Sequence, residues 1–299
     1  MVPLFALFLI PMVALAQPER RLPKNPRPVL LLLHGRGQPG GQSGVIRNEW
    51  FRAIEEGLQK AGARDLFPES NRRFFWYADL LNREDSCKLA FGAEALRAIG
   101  WSLWPKARDF FLASAQQLPD SAKSTVVDHF IPDTGKYLEN GKVACGVDDA
   151  LEAIWKEVPE GTAIVAVAHS MGSIVLYKNL TGQLRNTANP VYLITIGSMI
   201  AQPDVKATIL GALQKPPALV PGPVKWWRNI VNRGDLLAFP DANAFYATDP
   251  ARRPVDLDMN SAASDRHSAS EYLKSDVMGH TLRAAYCQAV GAKAGCASK

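Results

Sequence analysis

The chain alternates between short, continuously apolar runs and longer stretches whose apolar positions recur at helical spacing. The first run, Val29-Leu30-Leu31-Leu32-Leu33 leading into His34, is bounded by Pro28 and Gly35. So continuous a run predicts a strand buried on both faces, which is the mark of a parallel sheet. Phe74–Tyr77, Ala163–Ala168, Val191–Ile196 and Arg228–Asn232 predict four more strands, and the shorter Val255-Asp256-Leu257 a sixth. Helical patterns fill Trp50–Ala61, most of Cys87–Leu138, Val147–Val158, Ser173–Leu184 and Ala269–Cys287. Strands alternating with helices over this length predict an α/β fold: a doubly wound, mostly parallel sheet with helices on both faces.

Leu4–Ala16 carries no charge and ends in Ala14-Leu15-Ala16, the small residues a signal peptidase accepts. It is too short to span a bilayer as a helix. It therefore predicts a signal peptide at residues 1–16 and a secreted or periplasmic protein, with 17–299 forming a single domain. Because Met1-Val2-Pro3 holds neither Lys nor Arg, an uncleaved N-terminal membrane anchor is the alternative. Hydrophobic residues at 47% and charged residues at 21% exclude disorder, collagen and coiled coil. The net charge of +5 is scattered, with no Lys/Arg run longer than a pair, so nucleic acid is not an expected partner. Cys87, Cys145, Cys287 and Cys296 form no C-x-x-C pair. In an exported chain they predict two disulfides. Of three connectivities, the favoured one joins Cys287 to Cys296 across a short loop and Cys87 to Cys145 across a long central insertion. Four free thiols would follow in a reducing compartment.

The chemistry concentrates at Ala168-His169-Ser170-Met171-Gly172, between an apolar strand and a helical stretch. A nucleophile on a sharp strand–turn–helix corner needs small residues two positions before and two after it. Gly172 meets that need and Ala168 departs from it by one methyl group. The bland alternative is a serine capping a helix. Together with His34-Gly35-Arg36-Gly37 after the first strand, this segment resembles the α/β-hydrolase family over about Val29–Tyr286. The resemblance implies an α/β-hydrolase fold with Ser170 as nucleophile. It also implies an oxyanion hole formed by the backbone amides of Arg36 and Met171, supported by His34, Gly35 and Gly172. His169 adjoins Ser170, but at that corner its side chain points the wrong way to deprotonate it.

The base in this family follows the last strand, leaving His267 and His280. His267 opens a polar segment, His267-Ser268-Ala269-Ser270-Glu271-Tyr272, similar to the His-Ser-x-x-x-Tyr of many such hydrolases; His280 falls inside a helix, where a surface or packing role is expected. Trp227-Arg228-Asn229 … Asp235-Leu236-Leu237-Ala238 resembles the W-x-N … D-x-[VL]-A stretch of lipase-like members and implies Asp235 as the acid. Asp241, Asp249, Asp256 and Asp258 compete for that role, and Asp204 reads as a helix cap. The implied activity is that of a serine esterase or lipase acting through a Ser-His-Asp triad on a small-molecule or lipid ester, with peripheral contact to a membrane surface. The same triad serves thioesterases, amidases and acyltransferases, and a catalytically silent binding protein is the other class. No H-E-x-x-H, P-loop or dinucleotide motif is present, so neither metal nor cofactor is expected. The insertion at about 86–138 carries Leu89, Phe91, Trp101, Trp104, Phe110 and Phe111. It reads as a helical cap over the site or as ordinary helix core.

Overall fold

The computed structural model describes residues 27–35, 41–82, 104–117, 123, 131–210, 218–291 and 296. The expected signal peptide, Arg36, Cys87, His129 and much of the insertion lie outside the described residues.

Six strands form the main sheet: β1 (Val29–Leu33), β2 (Arg72–Phe75), β3 (Ile164–His169), β4 (Val191–Ile196), β6 (Val224–Asn232) and β8 (Pro254–Met259). Their spatial order is β2-β1-β3-β4-β6-β8, and every neighbouring pair is parallel. A second, two-stranded sheet pairs β5 (Ala218–Leu219) with β7 (Phe245–Tyr246). Sequence patterning misses it because two residues are too few to show a period.

Side chains alternate across the main sheet and sort into two cores. From β1 and β3, Leu31, Leu33, Ala166 and Ala168 face one core, while Leu30, Leu32, Val165 and Val167 face the other. The first core is completed by α2 (Trp104–Ala115), α3 (Ile131–Glu139), α4 (Gly141–Lys156) and α5 (Met171–Thr181). The second is closed by α1 (Ser43–Lys60) and α8 (Asp276–Val290). Helices therefore cover both faces, which is why the central strands are apolar without interruption. A short α6 (Pro203–Leu210) follows β4, and α7 (Ala269–Leu273) precedes α8.

The closing helix expected at Ala269–Cys287 is broken in two. Ser275 turns out of the helix and caps α8 by accepting the Met278 N–H (3.0 Å) at its Oγ. The last strand, Pro254–Met259, is longer than the triplet Val255-Asp256-Leu257 suggests. At this edge of the sheet, Asp256 is absorbed by hydrogen bonds from Asn229 Nδ2 (2.8 Å), Asp241 N–H (2.8 Å) and Ala242 N–H (3.0 Å). Cys287 and Cys296 are joined, with Cα atoms 5.6 Å apart. Cys145 is also disulfide-bonded. No helix among the described residues is long and apolar enough to cross a membrane.

The strand order fixes where a site can form. From β1 the chain adds β2 on one side, then returns to add β3 and its successors on the other. At such a reversal the loops leaving the carboxyl ends of the two central strands diverge and open a crevice. His34-Gly35 and Ser170 stand at those two ends.

Candidate active site

Ser170 is the single residue between β3 and α5, with φ 54° and ψ −125°. Only one other described non-glycine residue, Asp65, has positive φ. Such a conformation costs on the order of 1–3 kcal/mol and persists only where surrounding structure imposes it. The imposition is visible. Ser170 N–H donates to Ile196 O on β4 (3.1 Å), while its own carbonyl accepts from Ser173 N–H (2.9 Å) and Ser173 Oγ–H (2.6 Å). A Cβ at Gly172 would lie 2.6 Å from His34 O and 2.8 Å from Leu33 O. At Gly35 it would lie 2.8 Å from Ser170 Cβ, so neither position admits a side chain. Ala168, where the family pattern has glycine, is fully buried, its methyl group taken up by the core. The Ser170 hydroxyl makes no helix-capping bond.

That hydroxyl meets His267 instead. His267 Nε2 lies 2.9 Å from Ser170 Oγ, and His267 Nδ1 lies 2.9 Å and 3.1 Å from the two oxygens of Asp235. A carboxylate only accepts, so Nδ1 carries the ring proton and Nε2 is left to accept from the serine hydroxyl. Asp235 sits in the turn after β6, with its side chain 1% exposed, and receives two further donors: Tyr272 OH (2.6 Å) and Leu237 N–H (3.0 Å). Burial alone would raise its pKa. The His267 charge and these hydrogen bonds outweigh it and hold the carboxyl below the ordinary aspartate value. Burial would likewise lower His267, and the Asp235 charge and hydrogen bond outweigh it, raising the imidazole above its ordinary value. Tyr272 is pushed up by burial and by the neighbouring carboxylate, so it remains a donor.

The loop carrying His267 is tied down from two strands. Asn232, the last residue of β6, donates from Nδ2 to Arg266 O (2.8 Å) and accepts the Ser261 N–H at Oδ1 (3.0 Å). His169, the last residue of β3, places Nε2 2.8 Å from His267 O. His34 is fully buried and stacked on Tyr77, with ring centroids 4.1 Å apart. Its Nε2 accepts the Tyr77 N–H (3.0 Å), which leaves Nδ1–H to donate to Gly35 O. Met171 opens α5, so its N–H has no acceptor within its own helix. Arg36 lies outside the described residues.

The competing residues are placed elsewhere. His280 is exposed on α8. Asp258 pairs with Arg233 at the surface (2.9 Å), and Asp249 accepts the Ala251 N–H (3.0 Å). Asp241 and Asp256 belong to a separate network under β4 and β6. Asp204 lies in the first turn of α6, but the cap there is Gln202, whose Oε1 accepts the Val205 N–H (2.7 Å). The sequence assigned no role to Asn232 or Tyr272; Tyr272 stands in the His-Ser-x-x-x-Tyr segment and Asn232 three residues before Asp235, which is the signal each carried. Among the described residues no group of three or more His, Cys, Asp or Glu side chains is placed to hold a metal ion.

Chemically, a strained serine hydrogen-bonded in series to imidazole and buried carboxylate can lose its proton as it attacks an electrophile. The chain matches no known family model, and neither a curated protein nor a solved structure is significantly similar to it.

Proposed function

We propose that this protein is a serine hydrolase of the α/β-hydrolase type that cleaves carboxylic esters through an acyl-enzyme. The observation that carries the proposal is the continuous hydrogen-bonded series from Ser170 through His267 to Asp235, at 2.9 Å on each side of the imidazole, in the crevice at the sheet's reversal point. As Ser170 attacks the ester carbonyl, His267 Nε2 takes its proton, and Asp235 stabilises the imidazolium. The oxyanion is received by the Met171 amide at the start of α5, with the Arg36 amide as the second donor that the resemblance implies; each such donor is worth about 3 kcal/mol. Protonated His267 gives its proton to the leaving alcohol, and water repeats the sequence to free the acid.

The described part of the insertion packs as helix core on the sheet, with Ala107, Phe111 and Ala115 buried there. Phe111 of α2 is fully buried, whereas Phe110 beside it is 37% exposed and rests on Phe239, with centroids 5.7 Å apart. Phe239 belongs to the same β6–β7 connection as Asp235, so α2 packs against the segment that carries the acid. Export to an oxidising compartment fits the disulfide between Cys287 and Cys296.

Hydrolysis of a p-nitrophenyl ester series of rising chain length by wild type and Ser170→Ala tests the proposal. Ser170→Ala is expected to lose about 10⁶ in kcat, and a fluorophosphonate is expected to label Ser170 in the folded wild type. Unlabelled, inactive wild type would favour a binding protein, and undiminished turnover by Ser170→Ala would remove the serine mechanism.

A further inference from the structure

Ser170 is preceded by a histidine that takes no part in the proton transfer and yet touches the base. His169 is 6% exposed, and its ring centroid lies 4.8 Å from that of His267, 5.9 Å from Trp50 and 6.2 Å from Tyr272. Its Nε2 is 2.8 Å from the backbone oxygen of His267. A carbonyl oxygen only accepts, so Nε2 carries the ring proton and donates. The surroundings keep the ring neutral: burial, reinforced by the neighbouring His267, depresses its pKa to about 3. A neutral ring suits the site, because a second cation here would oppose the imidazolium that His267 must become.

His267 itself lies in an irregular stretch between β8 and α7 and cannot take its position from a helix or strand of its own. Asn232 holds the carbonyl just before it, from β6. The His267 carbonyl is held from β3, the strand whose next residue is Ser170. One rigid element thus sets the backbone of the base and the position of the nucleophile together.

We infer that His169 is a positioning residue, whose neutral imidazole fixes the His267 main chain relative to Ser170 through a single donated hydrogen bond. The inference rests on the proposed serine mechanism and assigns the residue before the nucleophile a part in it. Catalytic groups must be held within roughly 0.5 Å of productive geometry, and an error near 1 Å can cost about 10²-fold in rate.

The test compares His169→Leu, which lacks a donor, with His169→Gln, whose amide can donate to the same carbonyl. Each is followed by p-nitrophenyl acetate turnover, fluorophosphonate labelling of Ser170, and the low-field proton resonance of the His267–Asp235 hydrogen bond. His169→Leu is expected to lower kcat and the labelling rate by about 10- to 100-fold, with KM little changed and the low-field proton broadened or lost. His169→Gln is expected to restore most of the rate and the resonance. If His169→Leu does not fold, His169→Asn, whose amide falls short of the carbonyl, takes its place with the same expected losses. Wild-type rates and resonance in the variant that cannot donate to the His267 carbonyl, or a His169→Gln as slow as that variant, would overturn the inference alone. Wild type that is never labelled would overturn the serine mechanism and the inference with it.

Discussion

Asp235 and Asp241 lie six residues apart on the same connection after β6. They are 7% and 0% exposed, yet their surroundings shift their carboxyl groups in opposite directions. Asp235 accepts from His267, Tyr272 and Leu237, and these donors hold it ionised against the burial that would neutralise it. Asp241 has no cation in reach among the described residues. Burial, with the Asp256 carboxylate nearby, raises it well above the ordinary aspartate value. Its Oδ2 lies 3.1 Å from Thr195 Oγ1, which already receives the Trp227 Nε1–H (3.0 Å) and lies 3.0 Å from Asn229 Oδ1. Asn229 spends its amide protons on Phe239 O and Asp256 Oδ1, so its Oδ1 competes with Asp241 Oδ2 for the one threonine hydroxyl proton. Asp241 Oδ2 therefore has at most a share of one hydroxyl donor to set against full burial. Its other oxygen has no hydrogen-bond partner among the described residues. Depth of burial therefore does not decide which aspartate can serve a histidine; the surrounding donors do.

The sharpest way to break this contrast is substitution by asparagine at each position. Asp235→Asn is expected to lower kcat/KM for ester hydrolysis by about 10⁴, because an amide favours the wrong tautomer of His267. Asp241→Asn, which keeps the shape of the side chain and an oxygen to accept from Thr195, is expected to leave turnover essentially unchanged. Comparable losses in the two variants would erase the distinction.

A smaller effect probes the donors around Asp235. Tyr272→Phe removes one hydrogen bond to a charged group, worth about 1.5–3 kcal/mol. The carboxylate, relieved of that donor, attracts the His267 proton more strongly. Activity, which needs neutral His267, is expected to fall away on acidification at a pH above the ordinary imidazole value in wild type, and at a still higher pH in Tyr272→Phe. A pH–rate profile whose acid limb stays put or moves down in the variant would contradict the assigned role of Tyr272.

The gentlest test reads stability. Asp241 has a folded value above its unfolded one, so its contribution is complete below the ordinary aspartate value of 3.8 and is lost as pH rises through the folded value. Asp235 is shifted the other way, and its contribution is present above 3.8 and lost as pH falls through the folded value. Urea unfolding from pH 4 to pH 9 is expected to show Asp241→Asn gaining on wild type as pH rises, by at most about 1.4 kcal/mol per pH unit. Parallel curves would mean that Asp241 ionises equally in both states.

Much of the frame was legible in one dimension. The runs at Val29–Leu33, Ala163–Ala168 and Val191–Ile196 announce strands buried on both faces, and Ala168–Gly172 announces a corner with room only for small residues. The Cys287–Cys296 pair was legible from its spacing as well. Val255–Leu257 understated an edge strand, since Asp256 is satisfied by partners that no local pattern reveals. His169 was read as pointing away from the chemistry. It does avoid the Ser170 hydroxyl, but only the fold shows that it reaches the carbonyl of His267, 98 residues along the chain.

Hydrophobic periodicity and chain stereochemistry are local, so the sequence by itself determined the layered α/β architecture and the tight turn at Ser170. Protonation and hydrogen-bond partnership depend on which groups become neighbours once water is excluded. That is why only the tertiary structure decided that Asp235 rather than Asp241 meets the imidazole, and that β3 and β6 together hold the loop that brings His267 to the serine.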